Sequence, residues 1–91
     1  MEQVLEQINA IRADFGLMPA EKISKGRRCC PTKCPIANTL LKDSEFDSCE
    51  VTDKLVIEFD GEFHEYKLRP QMVRFIWHFD YGYITALQNN K

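Results

Sequence analysis

Residues 54 to 68, KLVIEFDGEFHEYKL, constrain the fold of this chain more than any other stretch. Two runs of alternating apolar and polar residues meet at Asp60-Gly61, and both turn residues tolerate the positive φ that a two-residue hairpin demands. Such a turn pairs Phe59 with Glu62, Ile57 with His64 and Leu55 with Tyr66. Leu55, Ile57 and Phe59 then share a face with His64, Tyr66 and Leu68. A slip by one residue would set Glu58 against Glu62 and turn the apolar set towards solvent. The antiparallel sheet has two or three strands, depending on whether SCEVT, residues 48 to 52, folds back at Thr52-Asp53.

Three segments carry helical spacing. Val4, Leu5, Ile8, Ile11 and Phe15 form one stripe, which predicts a helix over residues 2 to 15 stopped by Gly16. Pro35 suits a first helical turn, with Cys34 or Thr32 at the cap, and Ile36, Ala37, Leu40 and Leu41 continue a second helix to Lys42-Asp43. Met72, Val73, Phe75, Ile76, Trp77 and Phe79 cover well over half of a last helix from Pro70 to Gly82, the pattern of a core element or one packed on two sides. Gln71, Arg74 and His78 form its polar strip. Residues 16 to 33 read as a loop, with a short hidden helix expected at Ala20 to Ser24. YITALQ adds a final turn, and residues 88 to 91 a frayed tail. The expected fold is α+β: two N-terminal helices, the small sheet, and a C-terminal helix packed on the sheet, in one domain spanning 1–91.

At 91 residues the chain supports one modest core. No apolar run approaches a membrane span of roughly 18 residues, so no membrane role is expected. The opening MEQVLEQINAIRADFG lacks the layout of a secretory leader, and the expected location is the cytoplasm, with reduced thiols. Net charge is −2. Acidic residues crowd positions 43 to 65 and basic ones positions 22 to 33. A nucleic-acid binder usually carries a basic domain, so that class is disfavoured.

GRRCCPTKCPIANTL, from Gly26 to Leu40, holds three of the four cysteines. A structural zinc needs four ligands in two short-spaced pairs. Cys29, Cys30, Cys34 and Cys49 are the candidate set for zinc or, less well, an iron–sulfur cluster, and the bland reading is reduced, partly buried cysteines and no cofactor. A nucleophilic Cys34 at a helix start needs a base, for which His64 and His78 are the only histidines. Lys25, Arg27, Arg28 and Lys33 lead into the same helix start, an arrangement that favours an anion or a nucleic-acid backbone. The bland reading, which is preferred, is a solvated turn or a basic loop that pairs with the chain's own acidic hairpin.

Val56 and Phe63 point away from His64 and Tyr66. With Trp77, FDYGYI, Arg74 and His78 they form a candidate protein-binding patch. CPIANTLL, a short sheet and VRFIWHFDYG together resemble small uncharacterised proteins of actinobacteria and their phages, over roughly residues 34 to 82. The extra Cys29-Cys30 pair departs from that pattern. The resemblance implies no activity. It implies a small phage-encoded or accessory protein acting through a host partner. The function expected from the sequence is thus a non-enzymatic protein-interaction module, monomeric or homodimeric. The alternative is a zinc- or iron–sulfur-stabilised nucleic-acid or phosphate binder using the basic loop 22–35.

Overall fold

The computed structural model of the protein describes residues 2 to 88. Helix α1 spans Glu2–Asp14 and helix α2 Pro35–Leu41; strands β1 (Ser48–Val51), β2 (Lys54–Phe59) and β3 (Glu62–Lys67) follow. Helix α3 spans Pro70–Asp80, before a single 3₁₀ turn at Thr85–Leu87. Of the expected tail, Gln88 pairs with Gly26 in a parallel bridge; residues 89 to 91 lie outside the described residues. No helix among the described residues is long and apolar enough to cross a membrane.

The hairpin takes the register that its alternation dictates, with Phe59 opposite Glu62, Ile57 opposite His64 and Leu55 opposite Tyr66. Asp60 and Gly61 both adopt positive φ, 54° and 78°, so the turn twists with its strands. SCEV does fold back: Cys49 pairs with Ile57 and Val51 with Leu55, which makes a three-stranded antiparallel sheet in the order β1-β2-β3. Cys49, Val51, Leu55 and Ile57 are buried on its inner face, in one core with Ile8, Ile36, Leu40, Met72 and Phe79.

Two parts of the expected arrangement are corrected. There is one N-terminal helix, and the second is a seven-residue segment set off by a long loop. The C-terminal helix does not pack chiefly on the sheet; its closest backbone neighbour is α1, while α2 lies against β1. The inner face is only three strands wide, and α1 already reaches it. The Phe15 ring stands edge-on to Phe59 and His64, the Tyr66 hydroxyl donates to Asp14, and the Gln7 amide donates to the Lys67 carbonyl while accepting from the Arg69 N–H. With α2 beside β1, α3 takes the flank of α1.

The loop holds no helix at residues 20 to 24. Its backbone groups find side-chain partners instead, which removes the need for internal ones. Asn9 both accepts from and donates to Ala20. Thr39, fully buried, accepts from the Ser24 N–H. Asn38 donates to the carbonyls of Lys25 and Lys33. Arg12, only 4% exposed, donates to the Met18 carbonyl and, from its other arm, to those of Thr39, Leu40 and Lys42 at the end of α2.

Candidate functional site

The cysteine loop is held from both ends. At Gly26 a Cβ would meet backbone atoms of Lys33, Cys34 and Pro35 within 3.0 Å, so only glycine permits this crossing. Further on, the Arg28 Nε donates to the Asp80 carbonyl at 3.0 Å, and the Cys29 N–H donates to the Asp80 carboxylate at 2.9 Å. Cys29 itself sits in the left-handed region at φ 54°. Cys34 then caps α2: its Sγ accepts from the Ala37 N–H at 3.5 Å.

This route lines a cleft of about 280 Å³, to which Cys29, Cys30 and Cys34 contribute together with Val51, Phe75 and Phe79. Cys29 is exposed, Cys30 half-buried, and Cys34 and Cys49 are buried. Cys49 belongs to the inner face of β1. Among the described residues no group of three or more Cys, His, Asp or Glu side chains is gathered as a metal would need, so the geometry does not support Cys29, Cys30, Cys34 and Cys49 as one ligand set.

A nucleophilic Cys34 finds no support in its surroundings, which are those of a buried cap. Burial pushes its thiol up, against the smaller opposing effect of the Ala37 and Ile36 N–H groups. Neither histidine lines the cleft. His64 is engaged with the Phe15 ring, and its Nε2 lies 4.0 Å from Glu62. His78 stands on α3, edge-on to Tyr83. Burial pushes Cys49 furthest, to about 12, with the neighbouring Cys34 adding to the effect. Both buried thiols therefore stay protonated near neutrality.

The basic residues Lys25, Arg27, Arg28 and Lys33 are all exposed. Arg28 serves the end of α3, where its charge complements the helix dipole, rather than pairing with the acidic hairpin or pointing at a ligand. The start of α2, Cys34 to Ala37, is buried and already capped. The four cations therefore do not converge on a free helix start.

The candidate protein-binding patch is split in two. Val56 and Phe63 lie on the outer sheet face with Glu50, Glu58 and Glu65, since residues alternate along each strand. Phe63 is 70% exposed, and Lys54 pairs with Glu65 at 2.9 Å. Arg74 and His78 are on α3, which packs on the other side of the sheet with the core. The reason is that only the inner face is apolar enough to take helices.

On α3 the exposed side is more apolar than its polar strip implied. The helix buries Met72, Phe75 and Phe79 and leaves Val73 and Trp77 outside, so it is neither a wholly buried core element nor packed on two sides. Val73, Trp77 and Tyr81 recur every four residues and so form a row along one side. Trp77 is 63% exposed, Tyr81 66% and Tyr83 77%. Tyr83 is folded back onto the helix end. Gly82 adopts φ 85°, its N–H donates to the Phe79 carbonyl, and the Tyr83 N–H donates to that of His78 at 2.8 Å, which closes the helix on a left-handed glycine. A shallow groove of about 660 Å³ results, running from Lys67 and Pro70 past Val73 and Trp77 to Tyr81 and Tyr83. The signal for it was present in the sequence: Val73, Trp77 and Tyr81 flank Arg74 and His78 on a helical wheel, so they share the solvent side with them.

Comparison with known proteins returns no matching family model, no matching curated protein and no matching solved structure.

Proposed function

We propose that this protein is a small non-enzymatic interaction module that binds a protein partner through the groove on α3. The observation that carries the reading is the continuous row of Val73, Trp77, Tyr81 and Tyr83, four large apolar side chains left in water beside Arg74 and His78. A domain of this size rarely leaves contiguous apolar area uncovered without a partner for it, and Trp, Tyr and Arg are the residues that dominate interface energetics. The acidic outer face with Val56 and Phe63 forms a second, weaker contact surface. Action on a host protein by a phage-encoded or accessory chain, in a reducing cytoplasm that keeps the four thiols free, is the setting that fits this reading. The nucleic-acid or phosphate reading of the basic loop loses ground because Arg28 is committed to Asp80.

The test is capture of proteins from the native host by the wild-type chain and by two exposed-site variants, Trp77→Asp and Phe63→Asp. A partner retained by Phe63→Asp and lost by Trp77→Asp supports the reading. Loss with Phe63→Asp alone moves the interface to the outer sheet face. A purified protein that ignores host proteins and turns over a substrate ends the proposal.

A further inference from the structure

Resting on the interaction reading, we infer that the occupant of the α3 groove is a short acidic amphipathic helix of another protein. The charge of the groove is one-sided. Its charged or chargeable lining residues are Lys67, Arg74 and His78, and no Asp or Glu lines it. The nearest acid on α3, Asp80, is turned to the cysteine loop and held there by the Cys29 N–H. A chain that is net acidic overall thus presents its exposed aromatics inside a local basic rim. Such a surface attracts carboxylates and repels the cationic segments that its outer sheet face would draw.

The geometry selects a helix over an extended strand. Strand addition needs unpaired backbone groups along an edge. The groove is built on a helix whose backbone bonds are internal, and whose last carbonyls are taken by Tyr81, Gly82 and Tyr83. Recognition therefore runs through side chains alone. Those side chains stand in two parallel rows, Val73–Trp77–Tyr81 apolar and Arg74–His78 basic, each stepping by four. From Val73 to Tyr81 the row extends about 12 Å at 1.5 Å per residue. A helix of two to three turns presents matching rows: apolar residues at every third or fourth position, with Glu or Asp one position round.

Trp77 is the only tryptophan, so its emission reports docking directly. The probe is a synthetic 15-residue amphipathic helix with Leu in one row and Glu in the next, compared with the same peptide carrying Gln or Lys for Glu. The expected result is a saturable blue shift of Trp77 with the Glu peptide, binding about five- to tenfold weaker with Gln, the scale of two or three exposed ion pairs, and none with Lys. Added salt should weaken the Glu peptide and leave the Gln peptide unmoved. The double variant Arg74→Gln with His78→Gln, which leaves Lys67 in place, should lose most of the preference for Glu over Gln, with the Gln affinity unchanged. Equal binding of all three peptides overturns the inference and leaves the interaction reading standing. So does a host partner that needs Trp77 while no peptide shifts it. A blue shift that grows with protein concentration alone, together with a sedimenting dimer, puts a second copy in the groove and overturns it. Quenching by single-stranded oligo(dT) in place of the peptide overturns it in favour of base stacking. If neither peptide nor host protein depends on Trp77, both the inference and the proposed function fail.

Discussion

Replacing Arg12 should cost this protein a large part of its stability, although Arg12 touches no acidic side chain within ion-pairing distance among the described residues. Its guanidinium is buried and meets four carbonyls, at 2.8 Å (Met18), 3.0 Å (Thr39), 3.2 Å (Leu40) and 2.9 Å (Lys42). The last three belong to the end of α2, where helical carbonyls lack partners of their own. Arg12→Met keeps much of the apolar stem and removes every donor. A hydrogen bond to a charged group is worth about 1.5–3 kcal/mol. The three N–H groups involved, one on Nε and two on Nη1, are shared among the four carbonyls, and the gain from no longer desolvating a cation offsets part of their loss, which leaves a net cost of about 3–4 kcal/mol. A chain of this length has a total stability on the order of 5–10 kcal/mol. With a urea m-value of about 1–1.5 kcal/mol/M, the midpoint should fall by roughly 2–4 M. Arg12→Lys keeps the charge but cannot span both the loop and the helix end, so it should land between the two. Because carbonyls rather than carboxylates hold the charge, the loss should be the same at low and high salt. An Arg12→Met stability within about 1 kcal/mol of wild type would show that water replaces the guanidinium at these carbonyls, and the reasoning would be wrong.

Gly26→Ala should destabilise by about 2–3 kcal/mol in the same urea assay, because the added methyl meets backbone atoms of Lys33, Cys34 and Pro35 that cannot rotate away; a neutral substitution would mean that the loop crosses α2 less tightly. Cys49, whose thiol is held up at about 12 against an ordinary 9.0, should make the fold sensitive to alkali. The unfolded thiol ionises first, so the contribution is complete below about pH 9 and drains away as pH climbs towards 12, by up to about 4 kcal/mol. Urea midpoints from pH 8 to 10.5 should therefore fall more steeply for wild type than for Cys49→Ala, and parallel curves would refute this. A thiol reagent should titrate two groups quickly in the native protein, Cys29 and Cys30, and all four only in denaturant, given the burial of Cys34 and Cys49; four fast thiols would show that the core opens around them.

The parts of the fold that rest on neighbouring residues could be read from the sequence. Asp60-Gly61 dictates its own register, Gly82 its helix stop, and Cys34-Pro35 a cap and first turn, because each depends on local φ and on periods of two or 3.6. The course of the loop could not be read in this way. It is set by Asn9, Arg12, Asn38 and Thr39, polar residues that pattern reading assigns to solvent and that tertiary packing turns inward. Gln7 is the same case: its amide joins the end of β3 to the start of α3, and nothing in its neighbours marks it. The candidate site was half legible. Arg74, His78 and Trp77 were singled out, but joining them to Val56 and Phe63 required knowing which side of the sheet α3 occupies. That is a long-range fact, settled once α1 and α2 have taken the inner face.

The bridge between Gly26 and Gln88 has a consequence for the order in which this molecule assembles. The Gly26 N–H donates to the Leu87 carbonyl at 2.8 Å, so the loop waits for a segment some sixty residues downstream. Closing a chain of that length costs on the order of 3–4 kcal/mol in entropy, whereas the hairpin closes over two residues and forms within about 1–10 μs. The sheet is thus an early structure and the loop a late one. Until residues 80 to 88 arrive, Arg28 and Cys29 have no Asp80 to bind, and the cleft lacks Asp80 from its lining. Cys29 and Cys30 meanwhile ride on a loop whose course is not yet set, and their distance from the other thiols is fixed only when the two remote parts of the chain have met.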